Sequence, residues 1–251
     1  MERFTGTDSE TFRDNPMNLD YVRYVPDTID KPNILYKYRE LNKNTLGALL
    51  CNQVYFSRPE DFNDPYEPEK IFEESAFGKM LDRNVKESGI LCLCRESTSL
   101  SMWSYYAAAL KGFAIGYNMR ELLKSTADGE WKEVYKVDYD CQEIVAIQTS
   151  QIIQSNYDAI DPEKIKMFAT KASIFSHEDE YRVVINAEPD FKYSGYGLYS
   201  HSPEAISEII FGELIPENDE KSIRAALKGR EITFKRATRV KNKFKIEVVS
   251  D

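Results

Sequence analysis

The chain is expected to fold as an α+β protein: a mixed, mostly antiparallel sheet core with flanking helices. Three observations predict that class. Short β-prone runs and amphipathic stretches alternate without the regular strand–helix–strand beat of a parallel sheet. The 251 residues are 42% hydrophobic and 30% charged, the balance of a globular chain able to bury a core. No internal repeat or low-complexity tract interrupts the mixture.

Residues 1–32 are polar, with prolines at 16, 26 and 32, and predict an N-terminal arm ahead of a single α+β domain over 33–251. Ile34 to Tyr38 reads as the first core strand. Asn42 or Asn44 can cap a helix carrying Leu46, Leu49 and Leu50. Val54 to Ser57 is a short strand. Phe72, Ala76, Phe77, Met80 and Leu81 share one face of a predicted helix over 69–85, which Gly89 ends. Ile90 to Cys94 is a buried strand. Ser97 to Leu110 reads as a capped helix, and Phe113 to Tyr117 as the strand after Gly112. A charged strand is expected near Val134 to Tyr139. Residues 142–176 look helical, broken at Asp161-Pro162. Glu180–Ile185, Gly197–Ser200 and Ile206–Gly212 read as strands and Lys221–Leu227 as a helix. Ile232–Lys235 and Phe244–Val249 are expected to pair.

The net charge of −9, from 33 basic and 42 acidic residues, argues against a nucleic-acid coat or an anionic membrane as main partner. Lys221 to Glu247 is locally basic and reads as a solvated face. The four cysteines make no Cys-x-x-Cys pair and only two histidines are present, so no zinc site is expected and a reducing compartment fits. The first residues carry no apolar h-region, so no secretory signal is expected from them, and no run nears the ~20 apolar residues of a membrane span; a cytoplasmic protein is expected.

Four dense clusters carry the candidate chemistry. In Phe56-Ser57-Arg58-Pro59-Glu60-Asp61-Phe62-Asn63-Asp64-Pro65, Ser57 and Glu60 fit a capping box, and Asn63-Asp64-Pro65 fits a turn. Either the segment is only a helical start, or it holds Ser57, Asn63 and Asp64 at a pocket edge. In Tyr36-Lys37-Tyr38-Arg39, strand alternation places the tyrosines on one face and the cations on the other. Arg39 is suited to fork onto a phosphate or carboxylate, or to pair with a surface acid. Glu178, Glu180 and Arg182 fall on one strand face, where neighbouring carboxylates raise one another's pKa and the guanidinium opposes them. Met102, Trp103 and Tyr106 read as helix core or as a stacking platform. His177 is a weak candidate base. Phosphate-binding P-loop, dinucleotide-fold and nucleophile-elbow signatures are all missing from the sequence.

The order of these clusters resembles the bacterial domain-of-unknown-function 2971 family, which includes abortive-infection proteins of the AbiGi type. The matching residues are Leu35-Tyr36-Lys37-Tyr38-Arg39, Phe56-Ser57-x-Pro59-x-x-Phe62-Asn63-Asp64-Pro65, Met102-Trp103-Ser104-x-Tyr106-Ala107, Lys111-Gly112-Phe113-x-Ile115-Gly116, Glu180-Tyr181-Arg182 and Ile209-Ile210-Phe211-Gly212. The resemblance covers about residues 34–250 and implies little about activity; its abortive-infection members put phage defence among the expected roles.

A second resemblance is to ADP-ribosyltransferases of the Arg-Ser-Glu kind, and implies a fold of that type with NAD as substrate. Arg39 would match the arginine and Glu178-Asp179-Glu180 the acidic motif. Ser57 and Ser97-Thr98-Ser99 compete for the serine. The resemblance implies Glu180 and Glu178 as catalytic residues. Arg39, Tyr38, Ser57, Asn63, Asp64, Trp103, Tyr106 and Arg182 would then hold the nucleotide, with no metal. The implied partners are a small nucleotide and a protein or nucleic-acid acceptor, without a membrane. The alternatives are a non-enzymatic recognition module and a metal-dependent nuclease using Asp61, Asp64 and Glu180.

Overall fold

A computed structural model describes residues 22–67, 69–126, 131–140, 143–154, 160–187 and 194–251. In chain order the strands and helices are β1 (Val22–Val25), β2 (Ile34–Arg39), α1 (Lys43–Cys51), β3 (Gln53–Phe56), β4 (Ile71–Phe72), α2 (Ala76–Glu87), β5 (Gly89–Cys94), α3 (Leu100–Tyr105), β6 (Phe113–Asn118) and α4 (Met119–Ser125). They continue with β7 (Lys132–Lys136), β8 (Ala146–Ile147), α5 (Thr149–Gln154), α6 (Ile160–Phe168), β9 (Glu180–Ile185), β10 (Gly197–Ser200), β11 (Ile206–Gly212), α7 (Glu217–Ala226), β12 (Thr233–Arg239) and β13 (Ile246–Ser250).

Nine strands form one sheet in the order β1-β7-β9-β5-β2-β6-β11-β12-β13. Only β1/β7 and β11/β12 run parallel; the other joints are antiparallel. This is the α+β architecture that the irregular alternation predicts. The hydrophobic runs Gly89–Cys94, Phe113–Tyr117, Glu180–Ile185 and Ile206–Gly212 make the central strands because both faces of the sheet are covered. One face is a continuous core, in which Leu35, Leu91, Phe113, Ile115, Val183 and Phe211 meet Leu49 of α1, Leu122 and Leu123 of α4, and Ile223 of α7. The opposite face carries two separate clusters. Val85, Ile90, Tyr135, Phe168 and Val184 form one; Tyr38, Cys94, Met102, Trp103, Ala114 and Ile210 form the other. The polar clusters fall between them.

Residues 1–21 of the expected arm lie outside the described residues. Its later part is structured, since Val22–Val25 pairs with Lys132–Tyr135 as an edge strand. The helix expected over 69–85 starts only at Ala76, because Ser75 caps it by accepting the Gly78 N–H at 2.9 Å. Ile71–Phe72 instead pairs with Ala146–Ile147. Pro162 does not break a helix; it sits in the first turn of α6, where its missing N–H costs nothing. Asn118 caps α4, an unexpected helix, through the Glu121 N–H.

The helix expected over 97–110 ends at Tyr105. Ala108, Ala109 and Leu110 then take φ of 48°, 54° and 66°, three left-handed residues in succession. The turn is held by Leu110 N–H on Trp103 O (3.3 Å) and Gly112 N–H on Ala107 O (2.9 Å). It delivers Gly112 against β2 so closely that a Cβ there would lie 2.2 Å from the Arg39 carbonyl oxygen. Left-handed backbone costs an L-residue roughly 1–2 kcal/mol, against about 0.5–1 kcal/mol for the extra flexibility of glycine. Exposed Ala109→Gly is therefore expected to stabilise the chain by about 0.5 to 1 kcal/mol, seen as a Tm increase of a few degrees. An unchanged or lower Tm would show that the turn carries no net strain.

Candidate active site

The site lies where the sheet splits. β2 and β5 are paired only at Tyr36–Cys94. Beyond that pair Ser57 takes over the free edge of β5, exchanging both backbone hydrogen bonds with Ile90. The parted strands leave a cleft of about 200 Å³. Its walls come from β2, from β5, from the segment after β3, from α3 and from the start of β9. Lys37 bridges the split, its ammonium donating to Cys92 O at 2.7 Å.

Five buried ionic side chains form its acidic end. Lys171 donates to Glu178 Oε2 at 2.7 Å and stands 3.6 Å from Glu67 and 3.8 Å from Glu180. Arg182 forks onto Glu180, Nε on Oε1 at 3.2 Å and Nη2 on Oε2 at 3.1 Å, while pairing with Glu67 and donating to Phe168 O at 2.7 Å. Tyr106 donates to Glu178 Oε1 at 2.7 Å and accepts from Asn63 Nδ2 at 2.8 Å. Asp179, between the two glutamates, is left-handed at φ 40°. That kink turns Glu178, the end of a 3₁₀ turn, toward the same cleft as Glu180 at the head of β9.

Three carboxylates against two cations leave one excess negative charge, and the pKa directions follow. For Glu180, burial pushes upward, but Arg182 and Lys171 outweigh it and hold the carboxyl below its ordinary value. For Glu67, burial wins over the same two cations and raises the pKa. Burial and the Glu178 hydrogen bond push the Tyr106 phenol up to about 12.

The cationic end is different. Arg39 is largely desolvated, which lowers its pKa, and among the described residues it has no hydrogen bond or ion pair. Lys37 is pushed down to about 8, by burial first and then by Arg39 beside it. Between that value and the unfolded 10.5 the folded chain binds fewer protons than the unfolded one, so the Lys37 contribution to stability rises with pH across this window. Amine-reactive labelling of Lys37, followed by mass spectrometry against pH, is expected to show a midpoint near 8. A midpoint with the surface lysines would mean that the amine is solvated.

Of the residues singled out from sequence, Tyr38, Arg39, Ser57, Asn63, Tyr106, Glu178 and Glu180 all line the cleft. Three do not. Trp103 is fully buried, edge-on to Tyr38 at 5.2 Å with its indole N–H on Ser97 O. Asp64 accepts the Tyr66 N–H and faces a neighbouring cavity. Arg182 lies behind Glu180. Ser57 does not form the capping box; Arg58 occupies the cap of the 3₁₀ turn Pro59–Asp61 without a side-chain bond, and Ser57 stays in the strand edge. His177 is exposed, with Nδ1 at 3.1 Å from Ile174 O. Lys171 and Glu67 were not expected. Lys171 sits in no recognisable pattern, whereas Glu67 could have been suspected from the turn that precedes it.

Residues 102–183 match the model of a family described as Protein of unknown function (DUF2971). This segment is similar to that family. The family resemblance read from the sequence is thus borne out over the stretch that carries Tyr106, Lys171, Glu178, Glu180 and Arg182. Arg39, Ser57 and Asn63 reach the DUF2971 segment from outside it, through β2 and the loop after β3. No curated protein and no solved structure gives a significant match to the chain. No described helix is long and apolar enough to cross a membrane.

Proposed function

We propose that the cleft binds NAD and cleaves its bond to nicotinamide, passing the ADP-ribosyl group to water or to an acceptor. The observation that carries the reading is that Arg39, a desolvated guanidinium with no partner among the described residues, shares one cleft with an ionised, rigidly held carboxylate, Glu180. A buried charge without a partner is costly, and a phosphate oxygen supplies the bidentate partner that a guanidinium fits. Glu180 is a fixed anion for the positive charge that develops on the ribose as the C1′–N bond breaks. The electron pair of that bond leaves with nicotinamide, which departs neutral. The incoming oxygen bonds to C1′ and gives its proton to Glu178, whose own partners, Lys171 and Tyr106, hold it in place. Arg182 acts as a positioning residue that keeps Glu180 ionised and aimed.

A second reading is a recognition module without turnover. The observation that favours it is that Glu178 and Glu180 are both already ion-paired, which suits a rigid receptor as well as a catalyst. The nuclease reading lacks such support: among the described residues no three His, Cys, Asp or Glu side chains stand close enough to hold a metal. Incubation with NAD and quantification of free nicotinamide, beside the melting shift caused by NAD, separates the readings. Release with saturation kinetics supports the transferase; a melting shift without release selects the module; neither effect ends the NAD assignment.

A further inference from the structure

Lys37 and Arg39 also line a second, larger cavity of about 650 Å³, on the sheet face opposite Tyr36 and Tyr38. It is bounded by α1, by β3 and by Ile115 and Tyr117 of β6. Its size falls in the range of small-molecule sites. Its composition is one-sided. Lys37, Arg39 and Lys43 supply positive charge, and no acidic side chain among the described residues lines it. Leu49, Val54, Ile115 and Leu198 give apolar walls, with Tyr55 and Tyr117 as flat rings. Asn44, Gln53 and Thr45 add amide and hydroxyl groups. Cations facing a phosphate, apolar walls around a flat ring and amides at its edge are the three requirements of a nucleotide; a fatty acid would have no use for the amides.

We propose that this cavity is a nucleoside-phosphate site, with the phosphate on Arg39 and Lys37 and the base between the apolar walls of α1 and β6. The proposal shares Arg39 with the NAD reading but does not depend on it: the nucleotide is either a free one or the adenylate end of a dinucleotide whose other end occupies the acidic cleft. Neither the acidic residues nor the matched DUF2971 segment contribute to it beyond Ile115 and Tyr117.

Gly47 gives a clean test. It lines the cavity from the middle of α1, and a Cβ there would meet no atom within 4 Å. A side chain can therefore leave the helix there without its Cβ clashing, and Gly47→Phe places a ring at the cavity wall while replacing a helix-weakening residue. Calorimetric titration with ADP is expected to show saturable binding to the unaltered protein. Gly47→Phe is expected to weaken it by at least tenfold with the Tm kept or raised, and Arg39→Ala to weaken it similarly. If ADP also displaces NAD and Gly47→Phe weakens both, the site holds the adenylate end of the dinucleotide. If Gly47→Phe loses ADP alone, it holds a free nucleotide. No ADP binding to the unaltered protein, or unchanged binding by Gly47→Phe, overturns the proposal whatever nicotinamide release shows.

Discussion

Glu180→Gln is expected to reduce nicotinamide release from NAD by about 10²–10³-fold, the usual loss when one preorganised electrostatic group is removed from a transition state. The substitution keeps the shape of the side chain and a carbonyl oxygen for Arg182, which also retains Glu67 as a counter-ion. Folding should therefore survive, with a cost of about 1–3 kcal/mol for the weakened pair, measurable as a lower Tm. The informative comparison is KM against kcat. A stabiliser of developing charge lowers kcat with little change in NAD affinity, whereas a mere binding contact raises KM. Release at the unaltered rate, from a folded Glu180→Gln protein, would remove Glu180 from the chemistry.

Arg182→Met should have the largest effect on stability, a loss of about 3–5 kcal/mol, because it leaves charge buried without a partner. Arg182 is 2% exposed and serves Glu180, Glu67 and the Phe168 carbonyl together. Without it the two carboxylates keep only Lys171, at 3.8 and 3.6 Å, and Lys171 is already committed to Glu178 at 2.7 Å. The sign of the pH dependence follows. Unpaired buried carboxyls have raised pKa values in the folded chain, so the deficit should be smallest in acid and grow as pH rises above the unfolded carboxylate range. Urea titrations at low and neutral pH measure both. A pH-independent loss would point to packing instead, since methionine keeps most of the buried stem.

The strands Ile34–Arg39, Gly89–Cys94 and Phe113–Asn118 are readable because short runs of apolar residues, aromatic in the first and third, stand between turn formers. The edge strand Val22–Val25 is not, since an edge strand needs only a neighbour and leaves no strong pattern of its own. Alanine and leucine favour a continuous helix over Ser97–Leu110. The contact between Gly112 and the Arg39 carbonyl demands another path, and tertiary context overrode propensity. For the site, Arg39, Ser57, Asn63, Tyr106, Glu178 and Glu180 stood out as clusters of unlike polar groups that a plain core does not need. Trp103 shared that signature yet is core, because an indole finds its one hydrogen bond on a nearby carbonyl as readily as on a ligand.

By itself the sequence determined the class of fold, the central strands and the short list of polar residues, since these follow from local periodicity and residue chemistry. Only the tertiary structure decided that β2 and β5 part after a single pair, that Lys171 and Arg182 divide three carboxylates between them, and that Arg39 has no counter-ion among the described residues. Each of those depends on which distant segments become neighbours. Buried charge is governed by distances across the sheet, to which spacing along the chain gives no guide.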